Sequence, residues 1–358
     1  MAENTAGRVL VVDLNADTPR WALPSDGLSR IRAEAADGWT VRVVEGTTHS
    51  AGDGQTGLSE ALRLAADDAE VYFGFGLPPA FVEAAPALRW AQSAAAGVRG
   101  LLAPPVRAAI GERRLVLTNA AGIMAVPIAE HAVGGVLHFL RGFDVAAAQQ
   151  RARVWDRAPW AGPAPGGPDA MPREVGECRA VILGVRGIGG AVAERLTALG
   201  AECVGVRRTA SPEVPAGFAR VVGVEALDGV LAGADVVVLA VPSTPETDGL
   251  LDARRLALLP AGAIVVNVGR GALVDEPALA AALAAGRLRG AVLDVTEREP
   301  LPPESPLWGL ANVLLTPHVS PTSPGRFWGR MLDLFVDNWG RYRRGAPLRN
   351  VVDAGAGY

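Results

Sequence analysis

Two α/β units, each built on a parallel sheet, are what this sequence predicts, and three features predict them. Short apolar runs alternate with helix-like segments along both halves of the chain, the pattern of strands joined by helical crossovers. A Pro- and Gly-dense stretch separates the two series. The second series opens on a strand, a glycine loop and a helix in that order. With 358 residues, 49% of them hydrophobic, the chain is long enough for two cores.

Each element has its own local reason. The runs "RVLVVDL", "WTVRVVE", "EVYFGFG", "LRWAQS" and "RLVLTNA" are β-branched or aromatic and end in Gly, Pro or polar turns, so they read as strands of the first sheet. From Val126 to Ala148 the apolar spacing is helical, and this segment is read as one long helix leading from the first series to the second. The stretch Ala158 to Pro172, "APWAGPAPGGPDAMP", is too rich in Pro and Gly for regular structure. Six further strands follow, "RAVILGV", "AECVGVRR", "ADVVVLAVP", "AIVVNVG", "RGAVLDV" and "NVLLTPH", spaced as in a doubly wound, Rossmann-like sheet. After Pro321, "RFWGRMLDLFVDNWGRYRRG" is an amphipathic helix.

Composition excludes several classes of function. The net charge is −4, and Lys and Arg gather on no stripe, which argues against nucleic acid as a partner. Cys178 and Cys203 are too few for a disulfide framework and lack metal-ligand spacing, so they read as small buried hydrophobes, and no metal is expected. No run reaches the roughly 20 apolar residues that span a bilayer. The start of the chain runs straight into a strand, so a soluble cytoplasmic protein is the expectation.

The stretch "ILGVRGIGG" carries the first chemical signal. In a dinucleotide-binding loop of pattern G-x-G-x-x-G the outer glycines make the tight turn and the close helix–strand packing, and the middle one admits the pyrophosphate. Gly184 and Gly189 hold the outer places, Arg186 stands in the middle one, and Gly187 and Ile188 complete the loop. The helix that follows offers free N–H groups and the positive end of its dipole to phosphate. At the end of the next strand, where a ribose-binding acid is usual, stand Arg207 and Arg208. Guanidinium groups cannot accept from a ribose hydroxyl but suit a 2′-phosphate. NADP(H) is therefore favoured, with NAD(H) possible.

Three later stretches, "VVNVGRGALVDEPAL", "AVLDVTEREPLPPESPLW" and "NVLLTPHVS", resemble the D-isomer-specific 2-hydroxyacid dehydrogenase family. Looser agreement in "LRWAQSAAAGVRGLL", "LTNAAGIMAVPIAEHAV" and "ADVVVLAVPSTPETDGLL" extends the resemblance from about Leu88 to Ser320. It implies that Arg270, Glu299 and His318 carry the chemistry. Their residue types make sense independently. Reduction of a 2-oxo acid needs a proton donor at the carbonyl oxygen, the part given to His318. A carboxylate on the other ring nitrogen fixes the tautomer and favours the imidazolium, the part of Glu299. A planar guanidinium, Arg270, holds the substrate carboxylate and polarises the carbonyl.

By the same resemblance Asp294, Val268 and Gly269 lie at the nicotinamide end of the cofactor, and Pro242 and Thr247 on its adenosine side. Ala96 and Gly97 belong to a loop whose N–H groups hold the substrate carboxylate, with Phe75 and Gly76 at a neighbouring strand end. Arg99 stands where relatives usually carry an acid, a change read as local. His49, His131 and His138 lack such company and are read as structural or surface residues.

The expected architecture is a flavodoxin-like substrate domain, residues 1–121 with the helix of 322–358 returning to it, into which a dinucleotide domain of residues 122–321 is inserted, with the site in the cleft. The expected function is reduction of a small 2-oxo acid, of the glyoxylate or hydroxypyruvate kind, to the D-2-hydroxy acid. An NAD-linked dehydrogenase of another 2-hydroxy acid, or a dinucleotide-sensing binding protein with poor turnover, are the alternatives. Relatives imply a homodimer.

Overall fold

The computed structural model describes residues 8–16, 18, 21–35, 38–46, 57–98, 100–161, 172–210 and 212–355. Arg99 and His49 lie outside the described residues, as does 162–171 of the Pro- and Gly-rich stretch. The chain divides into two compact units, Met1–Met124 with Ser323–Tyr358, and Ala125–Thr322.

The first unit is built on β1 (Arg8–Asp13), β2 (Trp39–Val43), β3 (Ala69–Gly74), β4 (Trp90–Ser93) and β5 (Val116–Thr118). They form a parallel five-stranded sheet in the order β2-β1-β3-β4-β5. That is the flavodoxin-like order, in which the chain reverses direction across the sheet between β1 and β3. The crossovers carry α1 (Ser25–Glu34), α2 (Glu60–Leu64), α3 (Pro79–Ala84) and α4 (Pro104–Gly111). With helices on both faces β1, β3 and β4 are buried on both sides, which is why they read as continuous apolar runs and not as alternating ones, while the edge strand β2 is only partly buried.

Aromatic packing shows what covers one of those faces. Phe73 of β3 stacks on Phe335 with ring centres 4.3 Å apart, and Trp90 of β4 lies 5.5 Å from the same ring. Phe335 belongs to the C-terminal helix (Pro324–Arg343), whose Phe327, Trp328, Met331, Leu332 and Trp339 are also buried. The tail beyond it returns to β5, Val352 donating its N–H to Leu117 O at 2.8 Å.

The second unit begins with two helices. The long helix expected from Val126 to Ala148 is instead α5 (Ala125–Leu140) and α6 (Phe143–Ala152). Gly142 between them has φ +68, a left-handed turn that glycine takes without penalty and that a continuous helix does not contain. Next come β6 (Arg179–Leu183), α7 (Ile188–Ala198), β7 (Glu202–Arg207), β8 (Arg220–Gly223), α8 (Leu227–Leu231) and β9 (Val236–Leu239). After α9 (Ala253–Leu258) follow β10 (Ile264–Asn267), α10 (Glu276–Ala284), β11 (Gly290–Leu293) and β12 (Val313–Leu315); the C-terminal helix is α11. The parallel sheet has seven strands, in the order β12-β11-β10-β9-β6-β7-β8, one more than the sequence suggested. The addition is β8, a short edge strand of partly exposed residues, too short and too polar at its start to stand out as an apolar run.

Candidate active site

In an open α/β sheet, ligand-binding residues lie beyond the carboxyl ends of the strands, and the sequence-nominated residues of the second unit lie there. Arg270 follows β10, Glu299 lies in the loop after β11, and His318 follows β12. These strands are neighbours in the sheet. His318 Nδ1 and Glu299 Oε2 are 2.8 Å apart. The other Glu299 oxygen accepts the N–H of Thr296 at 3.2 Å, so the carboxylate is tied to its own loop as well as to the ring. Both side chains are about 40% exposed, open enough to reach a ligand.

His318 has φ +51, a region unfavourable for residues other than glycine, and such a conformation persists only where the surroundings enforce it. Here the enforcement comes from Asp294, at the end of β11. The Asp294 carbonyl accepts the N–H of His318 at 2.9 Å. Its carboxylate accepts the Thr316 hydroxyl at 2.6 Å and the N–H groups of Val319 and Ser320 at 2.9 and 3.0 Å. Asp294 is buried. Burial alone pushes its carboxyl up, but the hydrogen bonds from Ser320, Thr316 and Val319 outweigh it and hold the group below the ordinary carboxylate range.

Arg270 is half-buried in extended backbone, and its Nη1 donates to Gly269 O at 2.8 Å. Its carbonyl accepts Asn267 Nδ2 at 2.9 Å, and Asn267 Oδ1 takes the N–H of Gly269 at 3.1 Å, so a buried amide braces the turn. The next residue has to be glycine for reasons of space: a Cβ on Gly271 would stand 1.9 Å from Thr296 O. That backbone contact keeps the Arg270 loop against the segment leading to Glu299. Val268 and Gly269 are buried beside it.

A second group of nominated residues lies at the ends of β6, β7 and β9. A Cβ on Gly184 (φ +101) would stand 2.5 Å from Ala240 O, and one on Gly189 would stand 1.8 Å from Gly184 O. Both glycines are therefore fixed by close backbone approach. Gly187, with φ +50, caps α7 with no side chain over the helix end and open space around it. Among the described residues the N–H groups of Arg186 and Gly187 reach no protein acceptor. The Arg186 side chain is exposed and pairs with nothing described. Arg207 ends β7 and Arg208 follows it, exposed. Beyond β9, Thr247 Oγ1 donates to Pro242 O at 2.7 Å, closing the turn. In that turn Glu246 is held below the ordinary carboxylate range by the Thr244 hydroxyl, with the charge of Arg208 adding to the effect. Open N–H groups, glycines that admit backbone-to-ligand contact and adjacent guanidinium groups together fit a phosphorylated dinucleotide.

In the first unit, Phe75 and Gly76 follow β3 and are buried, while Ala96 and Gly97 follow β4. Ser93 Oγ donates to Phe75 O at 2.8 Å and accepts the N–H of Ala95 at 3.0 Å, linking the two loops. The N–H groups of Ala96 and Gly97 reach no protein acceptor among the described residues. Among those residues there is no cluster able to hold a metal, and no helix is long and apolar enough to cross a membrane. His138, read as structural, lies edge-on to Phe139 with ring centres 5.0 Å apart. His131, also read as structural or surface, has its Nε2 3.1 Å from Thr316 Oγ1.

Residues 133–320 match the model of the D-isomer specific 2-hydroxyacid dehydrogenase family, NAD binding domain. The chain belongs to that family. It is 35% identical over 238 residues, 66% of this chain and 70% of its relative, to glyoxylate/hydroxypyruvate reductase A of Salmonella newport. Over 99% of its length it is similar, with TM-score 0.76 and 32% identity, to all of a D-isomer specific 2-hydroxyacid dehydrogenase from Xanthobacter autotrophicus crystallised with NADPH and MES. A third likeness, with TM-score 0.74 and 26% identity, covers 98% of this chain and 100% of an NADPH-dependent glyoxylate/hydroxypyruvate reductase from Sinorhizobium meliloti crystallised with NADP and sulfate. This dehydrogenase is accordingly an NAD(P)-dependent oxidoreductase with a Rossmann dinucleotide domain.

Proposed function

We propose that this dehydrogenase reduces a small 2-oxo acid, of the glyoxylate or hydroxypyruvate kind, to the D-2-hydroxy acid with NADPH. The observation that carries the proposal is the His318–Glu299 contact of 2.8 Å between the segments that follow β12 and β11, with the Arg270 loop after the adjoining β10. When bound, NADPH supplies a hydride to the carbonyl carbon. His318 gives a proton from Nε2 to the carbonyl oxygen, so that C=O becomes CH–OH and the protein regains its proton from water. Glu299 accepts from Nδ1, which keeps Nε2 directed at the substrate and stabilises the cationic ring. Arg270 takes the substrate carboxylate and draws electron density from the carbonyl as negative charge develops there.

Cofactor binding is assigned to Gly184, Arg186, Gly187, Ile188 and Gly189 at the pyrophosphate, Arg207 and Arg208 at the 2′-phosphate, Pro242 and Thr247 on the adenosine side, and Val268, Gly269 and Asp294 at the nicotinamide end. The Asp294 carboxylate accepts from the Thr316 hydroxyl, the N–H groups of Val319 and Ser320 and the Ser320 side chain, which holds it in place at the end of β11. Substrate binding in the first unit is assigned to Phe75, Gly76, Ala96 and Gly97, supported by the open N–H groups of the last two. Residues 1–121 and 322–358 are the substrate domain in this reading, and 122–321 the dinucleotide domain. A cytoplasmic homodimer is part of the proposal. Its support is the pair of unlinked, buried cysteines and the exposed apolar side chains of Phe143, Val154 and Trp155 around α6, the last 89% exposed.

Initial rates with glyoxylate, hydroxypyruvate and longer 2-oxo acids, each with NADPH and with NADH, test the function. Turnover of the short acids with NADPH is expected. Binding of NADPH without turnover of any 2-oxo acid would replace the enzyme by a dinucleotide sensor. Light scattering of the purified protein tests the dimer.

A further inference from the structure

His131 lies near the start of α5 and is half-buried. Its partner Thr316, with Nε2 and Oγ1 3.1 Å apart, is 185 residues away in sequence and two residues before His318. The direction of this contact follows from the other end of the chain of bonds. An ionised carboxylate only accepts. Asp294 is such a carboxylate, buried and stabilised in its charged form, so the single hydroxyl proton of Thr316 points to Asp294 at 2.6 Å. The Thr316 oxygen then faces His131 with a lone pair, and His131 must carry its hydrogen on Nε2.

Asp294 holds the chain on both sides of His318, through the Thr316 hydroxyl before it and the N–H groups of Val319 and Ser320 after it. If the ring at 131 offered a lone pair instead of an N–H, the Thr316 hydroxyl would turn toward it. Asp294 would then lose the shortest of its hydrogen bonds, and the loop that holds His318 in a left-handed conformation would loosen.

We infer that His131 is a positioning residue of the reduction site: its Nε2–H orients the Thr316 hydroxyl onto Asp294, and through Asp294 it fixes the loop that presents His318 to Glu299. The inference rests on the reading of His318 as proton donor. Histidine tautomers can be observed directly, without activity, by NMR of protein labelled with ¹⁵N-histidine. The chain has only 4 histidines, so loss of one signal in His131→Gln assigns it. At about pH 8, where an ordinary imidazole is neutral, the Nε2–H tautomer is expected at His131, and the Nδ1–H tautomer would overturn the inference.

Kinetics supply the functional arm. Met and Gln are similar in length, but only Gln keeps an N–H donor. His131→Met is expected to lower kcat about tenfold and leave KM for NADPH within about twofold, whereas His131→Gln stays near wild type. Thr316→Val should show the same loss and Thr316→Ser should not. His131→Met combined with Thr316→Val should be no slower than Thr316→Val alone, since the two act through one bond. Wild-type kcat in His131→Met, or losses that simply add, would overturn the inference. Should the Met variant not fold, the tautomer and the Thr316→Ser and Thr316→Val pair decide it. A wild type that reduces no 2-oxo acid defeats the functional reading instead, and the tautomer still tests the network.

Discussion

The seven-stranded sheet presents two working edges that are built in opposite ways. Beyond β10, β11 and β12 the polar groups are already engaged with one another. Glu299 is bonded to His318 and to its own loop, Asp294 takes three donors from the Thr316–Ser320 segment, and Asn267 braces the Arg270 turn. Beyond β6 and β7, Arg186 is exposed with no described partner, the N–H groups of Arg186 and Gly187 reach no acceptor among the described residues, and glycine is required at 184 and 189 by close backbone approach. On the proposed reading, the first edge is preorganised for a reaction in which charge develops at the carbonyl oxygen. On the same reading, the second is a shape with open donors that a phosphorylated ligand completes. The contrast teaches that losing a group from the first edge should show in kcat, and losing one from the second in cofactor affinity.

The largest effect is therefore expected from His318→Gln. General acid catalysis is commonly worth about 10²–10⁴ in rate, and kcat for hydroxypyruvate should fall in that range while the Kd for NADPH, followed by titration of its fluorescence, hardly moves. A variant with near-normal kcat would remove His318 from the mechanism. If kcat and Kd changed together, the distinction between the two edges would fail.

On the cofactor edge, replacing Arg207 and Arg208 with Ala should abolish the preference for NADPH over NADH without changing kcat at saturating cofactor. A hydrogen bond to a charged group is worth about 1.5–3 kcal/mol, so the affinity for NADPH should fall roughly 10- to 100-fold. The wild-type preference should also narrow as salt is added, because exposed charge pairs are screened. Equal wild-type affinity for the two cofactors would sink the 2′-phosphate assignment.

How much of this was legible in the sequence follows from the same physics. The placement of Arg270, Glu299 and His318 beyond the ends of β10, β11 and β12 could be read because each stands in a short local motif after an apolar run. The supporting contacts could not. His131 looked like any half-buried helical histidine, since its partner is 185 residues away and only the tertiary fold brings them together. Gly271 gave no sign that it lies against the backbone of Thr296. The break at Gly142 was hidden because an apolar pattern continues across it, and a glycine in such a run turns the chain or stays helical according to packing that sequence does not display. β8 escaped notice as a short, partly exposed edge strand.

The smallest of these effects, and the sharpest test of how the cofactor edge is built, concerns Arg186. The loop pattern calls for glycine at this place, yet the left-handed conformations in the loop fall on Gly184 and Gly187, at φ +101 and +50. Arg186 is not among the residues of positive φ, so its side chain carries no backbone penalty. Arg186 is exposed and directly precedes Gly187, the N-cap residue, which places no side chain over the start of α7, so we expect its guanidinium to reach a phosphate bound there. We expect Arg186→Gly to weaken NADPH binding about tenfold, near 1.5 kcal/mol, the low end for a charged hydrogen bond because the group is solvent-exposed. NADH should weaken by the same factor, since both cofactors carry the pyrophosphate. Calorimetric titration of wild type and variant with each cofactor measures this. Tighter binding by the variant would mean that the arginine obstructs the loop and would raise the sensor reading over the enzyme. A loss confined to NADPH would instead move Arg186 from the pyrophosphate to the 2′-phosphate, beside Arg207 and Arg208.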